Sequence, residues 1–232
     1  MSPESFHLEK EIIAVCLRLE DLGYAIGTYG NVSARVPGGL IITPSRVDYR
    51  SLTPDDLVTV SLDGKVVAGT RLPSSELEVH RQIYLRRIDV CAIAHTHSLF
   101  ATALSCLHQT IPVIVEEQSQ VIGDEIRCTR YVAAGKHRAL GQEVARTLGK
   151  SSAVLLANHG TLSCGRTMAE ALFTCQIVER IAQMRLLAGV KGKVIPIPRE
   201  FVRSERERWL HKYGTSADKA VGEPRRRNSK RS

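Results

Sequence analysis

Residues 90–97 read VCAIAHTH, an apolar run from Val90 to Ala94 that ends in His95-Thr96-His97. Side chains two apart on a strand share a face, so His95 and His97 can hold one ion together. A second run, Ala153-Val154-Leu155-Leu156-Ala157, ends in Asn158-His159-Gly160 and delivers a third imidazole at the same kind of position. Three histidines at strand ends describe an open divalent site, the donor set of a catalytic zinc with a fourth position for water or substrate. Glu76 is the candidate acid or base beside them. His7, His80, His108, His137 and His211, each taken alone, read as hydrogen-bonded surface or core residues.

Working outward, residues 5–22 place Ile12, Val15, Cys16, Leu19 and Leu22 at helical offsets and stop at Gly23, with Ser5 as a possible N-cap. Residues 30–36 alternate, turn at Gly38-Gly39 and return as Leu40–Thr43; Leu57–Ser61 and Lys65–Ala68 flank Asp63-Gly64, the turn dipeptide whose backbone suits a two-residue hairpin. Ser75 and Glu78 have capping-box spacing and predict a helix running to about Arg87. Beyond the Val90–Thr96 strand come a short helix after Ser98, a strand at Val113–Val115 and a helix over Lys136–Leu148. Strands at Ala153–Ala157 and Thr161–Cys164 and a helix over Thr167–Ala188 follow. Strands interleaved with amphipathic helices predict a sheet covered by helices, an α/β layered domain. Pro196 and Pro198 break the chain before a charged helix from Arg199 to about Tyr213. The domain is expected to span 1–214, with 215–232 as a disordered basic tail.

The chain has 232 residues, 43% hydrophobic and 24% charged, which excludes a disordered, collagen-like or membrane class. Its net charge of +8 makes nucleic acid or an anionic substrate the first partners to weigh. Half of that charge lies on Glu223–Ser232, where Arg225, Arg226, Arg227, Lys230 and Arg231 face one acidic residue. What remains is modest, and nucleic acid is not an expected partner. The six cysteines form no C-x-x-C and are expected as free thiols in a reducing, cytoplasmic compartment. Neither a signal peptide nor an apolar span long enough to cross a membrane is expected.

A second cluster is polar and glycine-rich: Gly27-Thr28-Tyr29-Gly30-Asn31, then Thr43-Pro44-Ser45, then Pro73-Ser74-Ser75-Glu76. Backbone N–H groups near glycines, hydroxyls and a helix start suit a phosphate group. Other His-x-His architectures are not matched. A metallo-β-lactamase-like site needs an Asp-His soon after the pair, where Ser98-Leu99-Phe100 stand. An amidohydrolase barrel carries its pair on the first strand of a longer chain.

With GTYGNVSAR at 27–35, LIITPS at 40–45, LPSSELEVH at 72–80, AHTHS at 94–98 and LLANHGTLSCG at 155–165, in that order, the chain resembles the class II aldolase/adducin family over about residues 8–190. The resemblance implies a three-layer α/β/α sandwich around a central, mainly antiparallel sheet, assembled as a homotetramer with active sites between subunits. It implies a zinc-dependent aldolase (lyase) that cleaves a small ketose phosphate, such as L-fuculose 1-phosphate, into dihydroxyacetone phosphate and an aldehyde. By resemblance His95, His97 and His159 are the Zn²⁺ ligands. Glu76 is the acid/base, and a metal ligand before substrate arrives. Gly30, Asn31, Ser45, Ser74 and Ser75 match the phosphate-binding positions. Aldolase members carry a tyrosine shortly after an I-P-x-I segment, whereas Ile111–Val115 here is followed by Glu116 and Glu117, so Glu116 takes the candidate proton-transfer position. Tyr213, in Lys212-Tyr213-Gly214, matches a tyrosine supplied by the neighbouring subunit. Dehydratase, epimerase and decarboxylase chemistry on a related sugar phosphate shares the scaffold. The non-enzyme alternative is an adducin-head-like assembly module, a type that loses the metal-binding constellation. Histidines bind metal only when neutral, so activity is expected to fall at acid pH.

Overall fold

The computed structural model describes residues 3–212, so Tyr213, the expected boundary at 214 and the basic tail lie outside the described residues. Seven strands form one sheet: β1 (Asn31–Val36), β2 (Gly39–Ile42), β3 (Val58–Ser61), β4 (Val66–Ala68), β5 (Ala92–Thr96), β6 (Ala153–Leu156) and β7 (Gly160–Gly165). Their order is β4-β3-β2-β1-β5-β7-β6, and every neighbouring pair is antiparallel. The helices are α1 (Pro3–Asp21), α2 (Leu77–Arg86), α3 (Leu99–Ser105), α4 (His137–Leu148), α5 (Met168–Lys191) and α6 (Arg199–His211).

Pleating sorts the strand residues between two cores. Val32, Ala34, Ala92 and Ala94 pack with α1 and α5, and Ala153 and Leu155 pack with α3 and α5. Their sequence neighbours Ile93, Val154 and Leu156 point the other way, against α2 and α4. A sheet covered on both faces reads as continuous apolar runs rather than alternation, which is why VCAIA and AVLLA look as they do. The layers are therefore α/β/α, as the resemblance implied. Between α2 and α4 the contact is close enough that a Cβ on Gly141 would stand 2.5 Å from the Glu78 carbonyl oxygen. Among the described residues no helix is long and apolar enough to cross a membrane. All six cysteines are free thiols, with Cys16, Cys164 and Cys175 buried.

Three local expectations are corrected. The Asp63-Gly64 hairpin has a three-residue loop: Ser61 N donates to Lys65 O at 2.9 Å and Gly64, at φ +93°, adds the bulge. The capping box does not form. Glu76 stands at the N-cap of α2 with no side-chain cap bond; Ser74 Oγ accepts from Glu76 N at 3.2 Å in the turn just ahead of it, while Glu78 pairs with Arg81 at 2.7 Å. The cause is tertiary: Ser74 N donates to Thr43 O at 3.0 Å and Ser45 N to Leu72 O at 2.9 Å, which pins residues 72–74 beside the extension of β2. The predicted strand at Val113–Val115 is absent, and only the isolated bridge Ile111↔Ile126 remains. Pro112 lacks an N–H, and the Gln118 side chain satisfies Ile114 N at 3.2 Å in place of a neighbouring strand. Gln118 to Ile122 then form a π-helical turn that the sequence reading did not foresee.

Candidate metal centre

His95 stands on β5, and His97 lies just past its end. His159 sits in the turn Ala157-Asn158-His159 that joins β6 to β7, closed by His159 N donating to Leu156 O at 3.0 Å. Asn158 takes φ +56° there, a left-handed conformation that asparagine tolerates, and its side chain accepts from His108 Nε2. Because β5 pairs with β7 through Thr96↔Thr161, the end of β5 lies against the turn and the three imidazoles meet. Gly160 makes the fit possible: a Cβ there would stand 2.4 Å from Thr96 O and 3.3 Å from His95 Cε1. The ring centroids are 4.8, 4.8 and 5.0 Å apart.

The donor set is arranged for a cation. His95 Nδ1 lies 3.0 Å from Thr161 O. A carbonyl only accepts, so Nδ1 carries the proton and the lone pair is at Nε2. That atom is 2.9 Å from His97 Nε2 and 3.1 Å from Glu76 Oε2, while His159 Nε2 is 3.2 Å from Glu76 Oε1. Electron pairs converging on one space need a positive charge there. One nitrogen from each histidine lies within 4.8 Å of the others, a span that admits the ~3.4 Å separation of nitrogens bonded to one tetrahedral Zn²⁺. Three imidazoles and a carboxylate thus fit a divalent metal.

Electrostatics prepare these groups. Burial, reinforced by the neighbouring imidazoles, holds His97 at about 3 and His159 at about 4, so both are neutral donors at ordinary pH. For Glu76, burial pushes upward, but His95, His159, the Asn31 amide and His80 outweigh it and bring the carboxyl down to about 2. A pH dependence follows. His80, wholly buried, is held at about 3, well below an unfolded histidine near 6.5. The unfolded chain therefore binds more protons, and metal-free stability is lost as pH falls from about 6.5 toward these folded values. His80 alone contributes a loss of about 2 kcal/mol by pH 5. In chelator, Tm is expected to drop by about 4–8 °C or more between pH 7 and pH 5. A flat Tm over that interval would contradict the neutral imidazoles.

The centre opens into a cavity of about 510 Å³ lined by Gly30, Asn31, Ser45, Ser74 and Ser75 on one side, with Glu76, His97 and His159 at its base. All five sequence-selected phosphate positions thus face one space. Gly30 has φ +105°, and a Cβ on it would stand 3.0 Å from His95 O, so the loop before β1 lies directly on the metal strand. Asn31 pairs with His95 in the β1–β5 ladder, which sets this loop beside the histidines. Glu116 is not brought to the cavity within one chain: it is exposed, at the entry to the π-helical turn. Motif reading missed the opposite wall, an irregular segment from Thr129 to Lys136 with Tyr131, Lys136 and His137 lining the cavity, and also Arg46, next to Ser45 at φ +60°. The available signals were the turn residues Ala134-Gly135 and the positive charges of Arg46 and Lys136.

Comparison with known proteins agrees with the geometry. A family model described as Class II Aldolase and Adducin N-terminal domain matches residues 10–186. L-fuculose phosphate aldolase from Haemophilus influenzae is 36% identical over 190 residues, 82% of this chain and 87% of the relative. The 5-methylthioribulose-1-phosphate/5-deoxyribulose-1-phosphate aldolase of Rhodospirillum rubrum is 34% identical over 215 residues, 92% of this chain and 94% of the relative. A solved structure of L-fuculose 1-phosphate aldolase superposes with a TM-score of 0.85 at 31% identity, covering 90% of this chain and 98% of that one. With its layered fold and its histidine triad at the strand ends, the chain belongs to the class II aldolase and adducin N-terminal domain family.

Proposed function

We propose that the chain is a Zn²⁺-dependent aldehyde-lyase that cleaves a small ketose 1-phosphate into dihydroxyacetone phosphate and an aldehyde. The observation that carries this reading is the convergence of His95 Nε2, His97 Nε2, His159 Nε2 and both Glu76 oxygens on one space beside a phosphate-sized polar loop. L-fuculose 1-phosphate and 5-substituted ribulose 1-phosphates are the first substrates to try, since the relatives named above act on them. His95, His97 and His159 would hold the ion, with Glu76 as a further donor beside them. When bound, the ion supplies positive charge where negative charge develops as the C3–C4 bond breaks. Gly30, Asn31, Ser45, Ser74 and Ser75 grip the phosphate. Glu76, ionised, would return to C3 the proton that the C4 hydroxyl releases as the C3–C4 bond breaks and the aldehyde carbonyl forms.

The reading extends to a cytoplasmic homotetramer in which Glu116 and Tyr213 reach a neighbour's site. The exposure of Glu116 at a helical entry supports this, since the side chain is available to another subunit. Glu116 in place of a tyrosine also favours a second reading, dehydratase, epimerase or decarboxylase chemistry on a related sugar phosphate. An adducin-head-like module is disfavoured because the three histidines and Glu76 are all in place. Metal analysis and a panel of ketose 1-phosphates, assayed for dihydroxyacetone phosphate and aldehyde, test the proposal. The expected result is bound zinc and stoichiometric release of both products. Turnover that yields a dehydrated or epimerised sugar with no aldehyde would replace it with the second reading.

A further inference from the structure

Behind Glu76 a line of hydrogen bonds runs into the core on the α2 face of the sheet. Asn31 Nδ2 donates to Glu76 Oε2 at 2.7 Å. Asn31 Oδ1 is 2.6 Å from His80 Nε2, and His80 Nδ1 is 2.6 Å from Ser33 Oγ. The Tyr84 hydroxyl closes the line, 2.9 Å from Ser33 Oγ and 3.1 Å from Ser33 O. Two periodicities build it. Asn31 and Ser33 are two apart on β1, while Glu76, His80 and Tyr84 lie four apart along one stripe of α2 and its cap. Asn31, Ser33, His80 and Tyr84 are all buried.

A single arrangement of protons satisfies the whole line. The ionised Glu76 only accepts, so the Asn31 amide nitrogen must face it and the amide oxygen must face His80. That oxygen only accepts, so His80 carries its proton on Nε2. The neutral ring then accepts at Nδ1 from Ser33, and Tyr84 donates to Ser33. Flipping the Asn31 amide would set its oxygen against the Glu76 carboxylate and force His80 into its other tautomer, at a cost of about 1–3 kcal/mol for the buried carboxylate left without its donor.

We propose that His80 is a positioning residue: by anchoring the Asn31 amide oxygen it holds the amide nitrogen, and through it the Glu76 carboxylate, at the metal centre. The proposal rests on the metal-dependent reading above and adds a residue that touches neither metal nor substrate. Asn31 also lines the cavity, so the same amide that His80 anchors ties Glu76 to the side of the pocket formed by Gly30 and Asn31.

The test is Zn²⁺ affinity of the metal-free protein, measured by chelator competition alongside circular dichroism. Folded His80→Leu is expected to bind zinc about 10–100-fold more weakly, the usual effect of losing a partner that orients a ligand. His80→Gln, whose amide N–H can reach Asn31 Oδ1, is expected to recover most of that loss. His80→Asn, which keeps the Ser33 contact and drops the Asn31 one, should resemble His80→Leu and serves if His80→Leu does not fold. In a Glu76→Gln background the His80 substitutions should add little. Wild-type affinity in the folded variants, a loss of full size in the Glu76→Gln background, or no recovery in His80→Gln overturns the proposal. Absence of zinc binding by the wild-type chain would instead remove the metal reading itself, and this proposal with it.

Discussion

His159→Ala is expected to stay folded, to lose most of its bound metal, and to cleave ketose 1-phosphate at least about 10³-fold more slowly than the wild-type chain. The size follows from the several kcal/mol that a Lewis-acid ion supplies to developing charge, each 1.36 kcal/mol being tenfold in rate. His159 is the ligand to test because its side chain is 30% exposed, in a turn, against 1% for His95 inside the sheet. Its ring contacts Glu76 but supports no backbone group, so truncation leaves the ladder intact. His95→Ala would also remove the bond to Thr161 O and open a buried hole, mixing folding with metal loss. Metal content by mass spectrometry, Tm and kcat/KM together give the answer. If His159→Ala keeps full metal and full rate, the triad is not the metal centre.

Glu76→Gln should lower kcat by about 10²–10⁴-fold, the contribution of a positioned general acid or base. The amide is isosteric and can still accept from Asn31, so the pocket keeps its shape and KM should move by only a few-fold. Zinc stays bound through the three imidazoles with reduced affinity, because one charged ligand is gone. A variant that loses metal entirely would place Glu76 among the ligands alone. A variant with unchanged kcat would remove it from the chemistry.

The histidine cluster is the most legible part of the chain because its information is local. Two residues apart on a strand decides that His95 and His97 share a face, and Asn158-His159-Gly160 closes a short turn that must lie at a sheet edge or end. Strand pairing is less local. That β1 inserts beside β5, placing Asn31 opposite His95, depends on contacts some sixty residues apart that no short pattern encodes. The same holds for the start of α2, where Ser75 and Glu78 satisfy a local rule but the tie between residues 72–74 and 43–45 makes Glu76 the first capping residue and leaves the box unformed. Ile111–Val115 has strand composition, yet Pro112 and the Gln118 side chain use up its hydrogen bonding. His80 was read as an ordinary histidine. Its spacing of four from Glu76 was the available signal, and it gains meaning only when β1 supplies Asn31 and Ser33 across the gap.

The cavity has two walls built on different principles. On one, the loops around 30, 45 and 75 are bonded into the sheet and into the line that ends at Tyr84, so a substitution there disturbs the metal and its carboxylate together. On the other, residues 130–136 are irregular backbone, tied at Thr129 through Thr129 N to Leu155 O and Ala157 N to Thr129 Oγ1. Changes between Tyr131 and Lys136 reshape the cavity without touching the hydrogen bonds of Asn31, His80 and Ser33 behind Glu76. The histidine cluster and the shape of the cavity are thus separately editable, and a library confined to that short wall should change which ketose phosphates are turned over while leaving metal affinity constant.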